Sequence, residues 1–161
     1  MQVEWKDLYA RTRVDVLHFC KLLNFTPTDY QTEILLAVQK GERYIAVRSG
    51  QGPGKTTITA VIVMWRTIRA FKAMTIVSSP SVRQCRDQLL AECARLLGNA
   101  HPLLQKFVQV TKSKIVFGGT RDWEVKIATA SKSSNISGYH QSNLTFVFDE
   151  HQDRAAELTR L

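Results

Sequence analysis

The spacing of apolar residues divides the chain into a helical beginning, an alternating strand and helix middle, and a strand-rich end. Val14, Leu17, His18, Cys20, Lys21, Leu22 and Leu23 form one apolar-rich helical stretch, broken by Asn24 and Pro27. A second helix is expected from an N-cap at Thr28 or Asp29, with Ile34, Leu35 and Val38 on its buried face and a stop at Gly41. Tyr44, Ile45, Ala46 and Val47 form a nearly continuous apolar run that reads as a buried strand. Residues 56–71 then read as a long helix, 74–77 as a second strand, and 82–97 as another helix ended by Gly98 and Asn99. Shorter alternating pieces follow at 107–110, 114–117 and 123–128, and Gly118-Gly119 predicts a hairpin between the last two. Residues 145–148 are the last strand. The alternation in the first half predicts an α/β fold with a mainly parallel sheet covered by helices.

Length and composition narrow the class. The chain has 161 residues, 44% hydrophobic and 22% charged, which suits one soluble globular domain and excludes disorder for most of it. No apolar run approaches the roughly 20 residues needed to span a bilayer. Residues 1–6 carry no apolar signal-peptide core, so secretion is not expected. Cys20, Cys85 and Cys93 contain no CxxC pair and read as small core residues rather than disulfides or zinc ligands. The net charge of +8 suits a polyanionic partner without proving one.

The strongest chemical signal is Ser49-Gly50-Gln51-Gly52-Pro53-Gly54-Lys55-Thr56, followed by Thr57, between a predicted strand and a predicted helix. Glycines let successive backbone N–H groups face one anion, and the following helix adds the positive end of its dipole. Lys55 would reach the β and γ phosphates of a nucleotide, and the Thr56 hydroxyl would take one Mg²⁺ position. The usual pattern begins with Gly, and Ser49 holds that place here. Asp149 and Glu150 end the last predicted strand. Asp149 would hold the metal, and Glu150 would orient or deprotonate an attacking water, which favours hydrolysis over phosphoryl transfer to a substrate. Upstream, Gln31 offers a donor and an acceptor that match the edge of adenine. Taken alone, that segment is better read as an N-capped helix with an exposed glutamine.

Taken in order, Pro27, Tyr30 and Gln31, the 49–56 loop, the 76–84 segment with Pro80 and Gln84, the 114–119 hairpin, Ile136-Ser137-Gly138-Tyr139-His140 and 146–150 resemble the N-terminal ATPase part of the large terminase subunit of tailed bacteriophages. The resemblance implies a P-loop NTPase of the ASCE, RecA-like, three-layer type, with residues 1–40 as a helical segment carrying the adenine motif. Residues 41–161 would then be the ATPase core, incomplete at its C-terminal end beyond the Walker B acids. It implies ATP and Mg²⁺ as cofactors, with Gln31 on adenine, Walker A at 49–56, and Asp149 and Glu150 as Walker B and catalytic acid. It further implies double-stranded DNA held through its backbone, a small terminase subunit and a portal protein as partners, a homo-oligomeric ring, and assembly in the host cytoplasm.

Many members carry an arginine four places before the loop lysine, where this chain has Gln51. Arg48 or an arginine of a neighbouring subunit could take that role. With neither nuclease acids nor the strand that follows Walker B in such ATPases, the chain is expected to lack nuclease activity and to turn over weakly alone. The alternatives are a superfamily 2 helicase-like ATPase and, in another class, a non-hydrolysing nucleotide-binding interaction module. Lys106, Lys112, Lys114, Arg121, Lys126 and Lys132, set against Asp122 and Glu124, form the best candidate basic surface. Arg83 and Arg86 could touch DNA phosphates, but each alone reads better as part of a solvated helix face. Trp5, Trp65 and Trp123 read as packing residues, and His18, His101, His140 and His151 lack metal-site spacing.

Overall fold

The computed structural model describes residues 2–42, 44–47, 54–129 and 142–149. Four helices come first: α1 (Gln2–Val14), α2 (Val16–Leu22), α3 (Asp29–Lys40) and α4 (Lys55–Ile68). Strand β1 (Met74–Ser79) follows. A continuous helical stretch then runs through α5 (Val82–Cys85), a π-helical turn (Arg86–Leu90) and α6 (Ala91–Gly98). After α7 (Pro102–Phe107) come β2 (Val108–Val110), β3 (Lys114–Phe117), β4 (Glu124–Thr129) and β5 (Leu144–Phe148).

The five strands form one sheet in the order β2-β3-β4-β1-β5. β1 pairs in parallel with β4 on one side and β5 on the other, while β2, β3 and β4 form an antiparallel meander. The sheet is therefore evenly mixed rather than mainly parallel. The glycine turn at Gly118 and Gly119, both at positive φ, reverses the chain into the predicted hairpin.

Local chemistry explains the helix ends. Thr28 caps α3 in a capping box with Gln31, and Gly41 closes the helix in a left-handed conformation at φ 79°. α7 was not foreseen. Its signal is Pro102 at the first turn after His101, whose Nδ1 accepts from the Leu103 N–H.

Every residue of β1 is buried, as a central strand requires. Ile34, Leu35, Ile58, Val61, Trp65, Val77, Leu89, Cys93, Ile115, Phe117 and Val125 belong to one core, so the N-terminal helices share it with the sheet. Cys20, Cys85 and Cys93 are free and buried. Burial pushes the Cys20 thiol up to about 12, the behaviour of an inert packing residue. Trp65 and Trp123 are buried, and each indole N–H reaches a carbonyl at 2.7 Å, those of Thr12 and Thr67.

One predicted strand is absent. Residues 44–47 form no strand, and Tyr44, Ile45 and Val47 are 83%, 37% and 43% exposed. An apolar run becomes a strand only beside a neighbour that takes its backbone groups. Among the described residues the sheet ends at β5, which leaves this segment without a ladder.

Candidate functional site

The start of α4 has the character of an anion seat. Its N-cap, Gly54, sits at φ 116°, a left-handed conformation that side chains resist. A Cβ there would also meet the Gln31 side-chain nitrogen at 2.9 Å. No acid occupies the first turn, so the free N–H groups and positive dipole end of this 14-residue helix are not neutralised from within. Lys55 and Thr56 follow with exposed side chains.

The contacts at the other end of α4 put its head at the same end of the sheet as Asp149. At the far end of α4, the Thr67 hydroxyl meets the Thr75 hydroxyl at 2.8 Å, and Arg66 Nε donates to Thr145 Oγ1 at 3.3 Å. The C-terminal end of α4 thus lies over the first residues of β1 and β5. A 14-residue helix and a six-residue strand are both about 20 Å long. Gly54, Lys55 and Thr56 therefore reach the end where β1 and β5 finish. There the Asp149 N–H donates to the Ser78 carbonyl at 2.9 Å, extending the ladder past Phe148. Ser78 Oγ is buried beside this contact with no hydrogen-bond partner among the described residues.

Gln31 and Thr57 have other engagements. Gln31 Oε1 accepts from the Thr28 N–H at 3.0 Å, and its Nε2 donates to the Gly54 carbonyl at 3.3 Å. The glutamine thus ties the head of α3 to the N-cap of α4. The Thr57 hydroxyl donates to Glu92 at 2.6 Å, and Arg95 grips the same carboxylate at 2.7 and 2.9 Å. The Arg95 hydrogen bonds hold the Glu92 carboxyl below its usual range, against the opposing effect of burial. Glu92 and Arg95 were missed from the sequence. Their only signal is an acid and a base three apart on a helix, a spacing too common to single out.

Ser49, Gly50, Gln51, Gly52, Pro53 and Glu150 lie outside the described residues, as do Arg48, Lys132 and 136–140.

One comparison with known proteins bears on this arrangement. The chain is similar to a phage terminase large subunit. It is 25% identical over 153 residues to the "Probable terminase, large subunit" of Enterobacteria phage P7, covering 91% of this chain and 31% of that protein. The chain thus spans about a third of the relative's length. No family model and no solved structure matches. Among the described residues, no helix is long and apolar enough to cross a membrane.

One carboxylate offsets part of the candidate basic surface. Lys114 and Lys126 are partners across β3 and β4, and both bind Glu124, at 2.7 and 2.8 Å. The Glu124 side chain is only 7% exposed. Burial pushes its carboxyl up, but the two lysines outweigh that and hold it below its ordinary value. Arg83 faces Asp87 at 4.0 Å in an exposed pair.

Proposed function

We propose that this chain is the ATP-hydrolysing motor part of a viral terminase large subunit, built on a P-loop NTPase core, that drives double-stranded DNA into procapsids. The observation that carries the proposal is the placement of Gly54, Lys55 and Thr56 at the head of α4, on the same end of the sheet as Asp149. The similarity to the phage P7 protein points to the same class.

The residues fit a nucleotide with its metal: a cradle that a Cβ would fill, a lysine, a hydroxyl, a carboxylate and the orphaned Ser78 hydroxyl. In this reading residues 49–54 wrap the phosphates with backbone N–H groups, and Lys55 holds the β and γ oxygens. Thr56 and Asp149 hold Mg²⁺, which when bound supplies charge neutralisation at those oxygens. Glu150 orients the attacking water. Gln31 reads adenine only by exchanging its present bonds to Thr28 and Gly54, which couples base recognition to the N-cap of α4. A small terminase subunit, a portal protein, a homo-oligomeric ring and a host-cytoplasmic setting belong to the same proposal.

Calorimetry with Mg²⁺-ATP tests it. Wild type is expected to bind, and Lys55→Ala to weaken binding about ten- to a hundredfold, the worth of one charge-assisted contact. A folded wild type that binds no nucleotide overturns it. A second reading is nucleotide binding without turnover. Equal ATP binding and equally absent turnover in wild type and Glu150→Ala, with DNA present, would select that reading.

A further inference from the structure

At the opposite end of the sheet from Asp149, the C-terminus of α4 meets the end of α1 in a cluster of cations. Arg13 Nε donates to the Arg69 carbonyl at 2.7 Å, and its guanidinium lies over the Tyr9 ring at 5.7 Å. Arg69 lies over the buried Trp65 ring at 4.7 Å, and Lys72 over Phe71 at 5.7 Å. Half-buried Arg66 completes the group. Burial lowers its pKa, and the charge of Arg69 lowers it further. Among the described residues none of these four cations enters an ion pair. The turn before Trp123, whose ring meets Phe71 at 5.3 Å, adds Arg121 and Asp122, one charge of each sign.

Two further features mark the cluster. Phe71 is 62% exposed although its ring edge rests on Trp123. Lys72 has φ 54°, a left-handed conformation that glycine adopts without cost and lysine does not. A lysine at a position where the backbone prefers glycine is an outlier of the kind found at functional sites.

We infer that the Arg13, Arg69 and Lys72 surface binds the phosphate backbone of nucleic acid. Guanidinium groups stacked on aromatic rings present planar forks with little freedom left to lose, which suits phosphate oxygens. Phe71 supplies one exposed ring for a sugar or base. A membrane surface is disfavoured because the exposed apolar side chains at the cluster, Phe71 and Val14, are too few to make an apolar face to insert.

The test is fluorescence anisotropy of the 161-residue chain with a short labelled duplex of mixed sequence, across a salt series and without nucleotide. Its result is therefore separate from that of the calorimetry. Arg69→Gln with Lys72→Gly is expected to weaken binding about tenfold or more and flatten the log–log salt slope by about 2. The control pair Lys106→Gln with Lys112→Gln is expected to change affinity less than about threefold. Lys72→Gly alone relieves the backbone and melts at or above wild type, so it reports on binding free of unfolding. Unchanged affinity and slope in Lys72→Gly, or equal loss in the control pair, overturns the inference. So does a wild type that binds anionic lipid vesicles but not the duplex.

Discussion

Two basic regions of this molecule carry similar charge and differ in what surrounds it. On the β3–β4 face, Lys114 and Lys126 converge on one buried carboxylate, Glu124, which offsets one of their two charges. At the α1–α4 edge, Arg13, Arg69 and Lys72 rest on aromatic rings, which hold a cation without cancelling it. The first region is denser in the sequence. The second is better placed to attract a polyanion from solution. Free charge is thus a property of partners, and the count of bases along a segment does not report it.

The largest way to break the contrast is to remove the ring that supports the open edge. Trp123 touches the rings of Tyr9, Phe71, Phe107 and Phe117. Trp123→Ala is expected to cost about 3–5 kcal/mol in chemical denaturation, and a loss below about 1 kcal/mol would show that the edge does not depend on it.

Next, Glu124→Gln should make the two regions alike. It removes the carboxylate that Lys114 and Lys126 share, costs about 1–3 kcal/mol, and should raise duplex affinity by the charge it removes. The pH dependence has a definite sign. The folded carboxyl titrates below its ordinary value of 4.5, so its contribution is fully present above 4.5 and lost as pH falls through the lower folded value. Thermal melts between pH 5 and about 3 should therefore fall less steeply in Glu124→Gln than in wild type. Equal slopes would mean that Glu124 is not the group responsible. Smallest is Lys114→Ala. Its side chain is 43% exposed and Lys126 remains on the carboxylate. Urea titration should show a change of at most about 1 kcal/mol.

The elements that the sequence shows well are those whose residues carry their own evidence. The α3 boundaries follow from Thr28, Gln31 and Gly41, all local signals. The same holds for the hairpin glycines. Residues 44–47 were misjudged because apolar character says that a segment wants cover, whereas a strand also needs a partner on its edge. Within the basic segment, register decides which lysines share a carboxylate, and Lys114 faces Lys126 only once β3 and β4 are paired. Within the candidate site, the sequence picks out Gly54 and Lys55 by type and spacing. It could not show that Gln31 and Thr57 are held by Gly54 and Glu92, since those contacts join segments far apart in the chain.

The position of β5 has a consequence in time as well as in space. The β2–β4 meander joins near neighbours in the chain and can form early, whereas β1 must wait for β4 and then for β5, its most distant partner. β5 sits at the edge of the described sheet with half-buried side chains, so it is expected to dock late and to open first in hydrogen exchange. Asp149 rides on that strand. In the proposed function, the head of α4 would be ready for an anion while Asp149 is still arriving, so a complete grip on a metal-bound phosphate would mark finished assembly.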